Sequence, residues 1–346
     1  MQVTKARETK YDFVRVIAML FVIAVHTQRD ELGSYSFFNE IVQAVFFTCN
    51  GMFYMLSGKF NLSLVFERKE DYIQYYKKRF SSILLPFVLL SFALYLYNCR
   101  YELASTTVFG IMKGFYKSFF DSNAETHLWF MYPLIGMLLS TPFLSKMVHA
   151  MSEYELRLCL MIGMMWNFIM VYLVTNLNVG YRFDHWVLAS WTLYFLLGYY
   201  CSVADLEKHA RQIYILGAAA GVLTILQNHF LPDHSKYIND LAPLYVLFTV
   251  ALYVCLLRGF GTKNRGVWVT LIAKHSFTVY IIHWAVKDIV AEIFVNIGSP
   301  VMRFLVRIAV CTLVSLGAAI MIDELILNPI KKLCNKCLKL NTGTIN

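Results

Sequence analysis

Tyr11-Asp12-Phe13-Val14-Arg15-Val16-Ile17-Ala18-Met19-Leu20-Phe21-Val22-Ile23-Ala24-Val25-His26 is the stretch that decides the fold. Its apolar run predicts a helix long enough to cross a bilayer close to the N-terminus. Within that run Arg15 and His26 stand out. Eleven steps at ~100° leave their side chains about 20° apart around the helix and ~16 Å apart along its axis. They share one face and approach opposite sides of the membrane. An ionisable group inside a span is costly and rare, so each is a candidate functional residue by default. Two of them on one face point to chemistry that joins the two sides.

The rest of the chain repeats the theme. It is 58% apolar, has a mean hydropathy of +0.54 and carries 15% charged residues. An ordinary soluble domain carries about 25%. Apolar segments of spanning length recur around Leu20, Phe53, Leu89, Met137, Met165, Leu193, Gly217, Phe248, Tyr280 and Val314. The expected architecture is all-α: a polytopic membrane protein of about ten transmembrane helices. Only short loops remain between them, so residues 1–346 read as one integral-membrane domain, with 330–346 as a basic cytoplasmic tail. The first apolar segment lacks a small-residue cleavage motif and reads as a retained helix.

The net charge of +9 would suit nucleic acid, but its distribution argues for topology instead. With the N-terminus inside, the inner segments carry Lys5, Arg7, Lys10, Arg68, Lys69, Lys77, Lys78, Arg79, Lys146, Arg157, Lys208 and Arg211. They also carry Arg258, Lys263, Arg265, Lys274, Lys331, Lys332, Lys336 and Lys339. The outer segments hold only Arg29, Arg100, Lys113, Lys117, Arg182, Lys236, Arg303 and Arg307. This alternation follows the positive-inside rule and places both termini in the cytoplasm. The tail around Lys331 to Lys339 suits an amphipathic helix on anionic membrane lipid, or simply fixes topology.

The eight cysteines do not form a disulfide framework. Cys49, Cys159, Cys201, Cys255 and Cys311 lie in apolar spans, where a thiol behaves as a small hydrophobe. Cys334 and Cys337 make one CxxC with no further zinc ligands nearby, so no metal site is expected.

Several constellations can carry chemistry. His26, near the outer end of its span, has the pKa range of a general base, although a core histidine bonded to a neighbouring helix has the same signature. Arg15, near the inner end, can snorkel to lipid phosphate or bind a phosphorylated ligand. Gly51, Ser57 and Gly58 permit close helix approach. Lys59 ends the same span, and Lys77-Lys78-Arg79 precede Pro86; both suit phosphates, and both suit topology. Thr126-His127-Leu128-Trp129-Phe130 opens an outer boundary, where Trp129 and Tyr132 serve as interfacial anchors and His127 offers a second imidazole. Ser276, Tyr280 and His283 fall at i, i+4 and i+7, one helix face that must find partners inside the bundle. Asp323 and Glu324 read as solvated boundary residues. No Walker loop, dinucleotide-binding GxGxxG, GxSxG elbow or HExxH is present.

Taken in order, these landmarks resemble the acyltransferase-3 family of multispanning bacterial membrane proteins. The resemblance rests on Arg15-x10-His26, the Phe53 to Gly58 stretch, the basic run into Pro86, His127 to Phe130, Tyr194 to Tyr199 and Ser276 to His283. It implies ten core helices, cytoplasmic acyl-CoA (commonly acetyl-CoA) as donor, and a hydroxyl of a cell-surface glycan or lipid-linked sugar as acceptor. It also implies a bacterial inner-membrane location and roles for Arg15 and His26. Lys59 departs from the aromatic or small residue the family often carries there. The expected reaction is O-acetylation. His26 would serve as base or carry the acyl group transiently as an acyl-histidine, with Tyr280, Ser276 or His283 at the developing oxyanion; Arg15, Lys77, Lys78, Arg79 and Lys59 would hold the donor. The alternative from another class is a transporter or flippase of a glycan or lipid precursor.

Overall fold

A computed structural model of the chain describes residues 8–32, 37–121, 126–175, 188–230, 240–259, 266–294 and 298–340. Lys5, Arg7, Arg182, Lys236, Lys263, Arg265 and the tail beyond residue 340 lie outside the described residues. The chain runs through α1 (Thr9–Glu31), α2 (Phe37–Phe46), α3 (Thr48–Leu62), α4 (Lys69–Arg79), α5 (Leu85–Asn98), α6 (Val108–Phe120) and α7 (Met131–Ala150). It continues through α8 (Glu153–Phe168), α9 (Trp191–Val203), α10 (Leu206–Phe230), α11 (Pro243–Gly259), α12 (Gly266–Ile293), α13 (Pro300–Ile322) and α14 (Asn328–Cys337). No strand occurs among the described residues.

Eight helical stretches among the described residues are long and apolar enough to span a membrane. The spans expected near Leu193 and Phe248 fall on the shorter helices α9 and α11. All the expected centres therefore lie in helices, and the protein is a polytopic all-α membrane protein. The span expected around Phe53 is jointed, with α2 and α3 meeting at Phe47. Two others bend at one-turn π segments, Phe80–Leu84 and Asp323–Leu327. Each begins six residues before a proline, Pro86 and Pro329. Proline lacks the N–H that would bond the carbonyl four residues back, and the wider turn re-routes the ladder.

α1 is the interior helix. Two-thirds of its spanning window is buried, against 22% for the last span. It packs against α3, α11, α12 and α13. That position explains how a helix with Asp12, Arg15, His26, Thr27 and Gln28 is stable in a membrane: its polar groups face protein, as they must. α3 is held in turn by α9 through a reciprocal small-residue contact. A Cβ on Gly58 would lie 1.8 Å from the Phe195 carbonyl oxygen, and one on Gly198 would lie 1.9 Å from that of Met55. With no solvent to drive the helices together, this close backbone approach is the attraction itself. The glycine expected to permit close approach, Gly58, does so, and it fixes the register of α3 against α9.

Candidate active site

His26, five residues before the end of α1, meets two other imidazoles and an indole. Its ring centroid lies 5.2 Å from His283, 6.2 Å from His127 and 4.8 Å from Trp284. His127 and His283 are 5.0 Å apart, and His127 stacks on Trp284 at 5.3 Å. Lys287, one turn beyond His283, places Nζ over the other partner of that stack, 4.5 Å from the Trp284 ring.

The placement of His127 follows from its local backbone. Thr126–Phe130 is a 3-10 turn leading into α7, and such a turn leaves carbonyls for other partners. Tyr280 Oη donates to the His127 carbonyl, and Tyr54 Oη donates to that of Phe130 at 3.0 Å. Tyr280 thus holds the His127 turn against α12. Its hydroxyl proton is engaged on the His127 carbonyl.

Two tautomers are fixed by chemistry alone. The His283 Nδ1 faces the Tyr280 carbonyl at 2.6 Å, and the His127 Nε2 faces the Ile281 carbonyl at 3.0 Å. A carbonyl only accepts, so each of these nitrogens donates and the opposite nitrogen carries a lone pair. Those opposite atoms, His283 Nε2 and His127 Nδ1, are buried and have no hydrogen-bond partner among the described residues. In the neutral rings the site therefore presents buried proton acceptors held in place by backbone carbonyls. No group of three or more His, Cys, Asp or Glu side chains among the described residues is arranged to hold a metal ion.

A cavity of 130 Å³ opens beside this cluster. It is lined by Val22, Val25 and His26 of α1, by Phe47, Cys49 and Asn50, by His127, Trp129 and Phe130, and by Asp240, Tyr280 and Trp284. Its size is close to that of an engineered protein cavity, about 150 Å³, that accepts benzene. It holds one small group. Asp240, in the turn before α11, accepts from Asn50 Nδ2 at 3.0 Å through Oδ2 and from Tyr194 Oη through its backbone carbonyl. Burial pushes its carboxyl up to about 7, against the pull of the Asn50 hydrogen bond.

The other end of α1 is built differently. Arg15 pairs with the buried Asp12 at 3.6 Å and lies over Phe60, 5.7 Å from the ring centroid. Lys59 reaches the same place, with Nζ 5.5 Å from the Tyr11 ring, which itself packs edge-on against Phe60 at 5.3 Å. The residue that departs from the family's habit is thus gathered beside Arg15. Thr270 of α12 completes the cluster by donating to Asp12 at 3.5 Å. Between the two ends, Ala18 and Met19 are fully buried in the packed core.

The remaining sequence candidates sit elsewhere. Lys77 Nζ donates to the Leu338 carbonyl at 2.8 Å and ties α4 to the end of α14, while Arg79 lies over Tyr75 at 5.1 Å. Lys78 is half-buried between them. Ser276 donates to the Ala273 carbonyl at 2.8 Å and does not line the cavity, although it shares a face with Tyr280 and His283. Asp323 is not the solvated residue its boundary position suggests. It is buried and accepts from Thr278 at 2.6 Å and pairs with His275 at 2.5 Å, leaving Glu324 exposed on Lys274. Sequence reading also passed over Asn50, Asp240 and Trp284. Asn50 and Trp284 had a usable signal, a polar or indole group within a span; Asp240, a lone loop carboxylate, had none.

Fold and site together define a multispanning membrane protein with an imidazole-lined pocket near one end of its central helix. The chain belongs to the acyltransferase-3 family: the family model, described as an acyltransferase domain, matches residues 8–323, nearly its whole length. It is an acyltransferase, which decides against the transport alternative. Neither a curated protein nor a solved structure matches it significantly.

Proposed function

We propose that the chain moves an acetyl group from cytoplasmic acetyl-CoA to a hydroxyl of a surface glycan or lipid-linked sugar on the far side of a bacterial inner membrane. The observation that carries this reading is the small cavity lined by His26 and His127, with His127 Nδ1 unpartnered among the described residues. The charge bias of the loops puts that end of α1 outside and the Arg15 end inside. Arg15 and Lys59 supply the cationic entry for the donor's phosphates, a role guanidinium fills well. Lys77, Lys78 and Arg79 lie on the same side and add to the field that draws in an anionic donor.

In the transfer step, the neutral His26 imidazole takes the acceptor's hydroxyl proton as the oxygen attacks the thioester carbonyl. The C–S bond then breaks and the imidazolium returns its proton to the sulfur, giving the acetyl ester and free CoA thiol. His127, whose Nε2 donates to the Ile281 carbonyl, presents Nδ1 to another hydroxyl of the acceptor and so orients it, while His283 packs behind His26 and His127. A cavity of 130 Å³ is on the scale of one ring: it suits the sugar ring that bears the hydroxyl, with the acetyl carbonyl at its edge, and leaves no room for a long acyl chain. Ala18 and Met19, packed between the two ends, must shift for the thioester to reach His26, so donor entry opens the bundle along α1.

Proteoliposomes test the reading directly. Labelled acetyl-CoA is supplied at the face bearing Arg15, with surface glycan extracted from a deletion strain at the other. Base-labile label on the glycan and stoichiometric thiol release are expected. Transfer that requires donor and acceptor on the same face would contradict the cross-membrane reading.

A further inference from the structure

Asp240 is held in place yet keeps one carboxylate oxygen without a partner among the described residues. Its Oδ2 accepts from Asn50 and its backbone carbonyl accepts from Tyr194, so α3 and α9 both hold the turn in place. Its Oδ1, by contrast, is buried and has no hydrogen-bond partner among the described residues. A buried acceptor left unfilled is unfavourable, and a ligand hydroxyl that donates to it removes the cost. Asp240 and Asn50 both line the cavity that contains His26, and 130 Å³ is small enough that a group filling it touches all three. The same lining presents the aromatic side chains Trp129, Phe130 and Trp284. A carboxylate beside an amide accepts and donates to neighbouring hydroxyls, while aromatic faces pack against the C–H face of a saturated ring.

We infer that Asp240, held by Asn50, is the acceptor-binding residue of this site. It receives a hydroxyl adjacent to the one that His26 deprotonates, and so selects a ring with vicinal hydroxyls over an isolated alcohol. This inference rests on the acyl-transfer reading above. It assigns Asp240 to acceptor binding, separate from donor binding at Arg15 and proton transfer at His26. Asn50 is the positioning residue, acting through the carboxylate.

The test uses full-length enzyme in proteoliposomes with labelled acetyl-CoA and graded amounts of the glycan fraction from the deletion strain. Asp240→Asn keeps the shape of the side chain and removes its charge. It is expected to raise half-saturation for the glycan at least tenfold while half-saturation for acetyl-CoA stays within twofold of wild type. Asn50→Ala is expected to move the same parameter in the same direction by a smaller factor, and it serves if Asp240→Asn does not fold. Mass spectrometry of the product is expected to place the ester on a carbon next to another hydroxyl-bearing carbon. Unchanged glycan half-saturation in both variants overturns the inference while leaving the acyl-transfer reading intact, as does an ester on an isolated alcohol. Equal weakening of donor and glycan also overturns it, since a merely structural role would do that. No transfer by the wild type to this fraction overturns both.

Discussion

The two ends of α1 solve opposite problems with the same helix. At the His26 end, His26 and His127 border a small cavity, His283 packs behind them, and His127 Nδ1 and His283 Nε2 have no hydrogen-bond partner among the described residues. At the Arg15 end the polar groups satisfy one another: Asp12 faces Arg15 and Thr270, and Lys59 sits over Tyr11. Unfilled buried acceptors are tolerated where a ligand will fill them. A compensated cationic cluster suits a place where a highly charged ligand binds by exchanging partners. In the proposed function, chemistry falls to the first end and donor capture to the second.

The comparison breaks most readily at the histidines. His127→Ala and His283→Ala are each expected to lower kcat about 10²-fold, in the range of a lost acid–base partner. The KM for acetyl-CoA should hold; steady-state rates in proteoliposomes would show either variant acting on donor binding instead. At the opposite end, Arg15→Ala is expected to raise the KM for acetyl-CoA about tenfold or more, the scale of one lost charge-assisted hydrogen bond. Its effect on kcat at saturating donor should be small, and a reversed pattern would merge the two ends into one site. Lys59→Ala sharpens the same point with a several-fold rise in donor KM that shrinks in high salt, as an exposed charge contribution does.

The smallest expected effects concern positioning and pH. Tyr280→Phe frees the His127 carbonyl and should cost kcat a few-fold with donor KM unchanged. Glycan half-saturation should improve as pH rises through about 7, where Asp240 becomes a carboxylate. Among the described residues, the titratable groups around it are Cys49 and Tyr54 on α3, Tyr194 on α9, Tyr245 on α11, and His26, His127 and Tyr280 in the same cavity. In Asp240→Asn the improvement should disappear, and a persistent one would show that Asp240 is not its source.

Much of this arrangement is legible in the sequence because helical periodicity is a local rule. The face shared by Arg15 and His26, and the i, i+4, i+7 set of Ser276, Tyr280 and His283, follow from residue spacing alone. What spacing does not give is which faces meet. His127 meets His283 across 156 positions, and the link is a pair of backbone carbonyls, that of Ile281 accepting from His127 and that of His127 accepting from Tyr280, which sequence patterns do not record. Ser276 shares the right face yet bonds within its own helix. Asp240 is invisible for a different reason: a single carboxylate in a turn acquires meaning only from Asn50 and Tyr194, which reach it from other helices. Asp323 was misread because position near a helix end stood in for burial, and a partner 48 residues away, His275, draws it inward.

The division of labour along α1 is tested most directly by His26→Ala. Equilibrium binding of acetyl-CoA and transfer to glycan are measured on the same reconstituted preparation. The account predicts donor affinity within twofold of wild type and transfer reduced about 10²–10⁴-fold, the usual contribution of a general base. Transfer at the wild-type rate, or donor binding lost together with transfer, would contradict it.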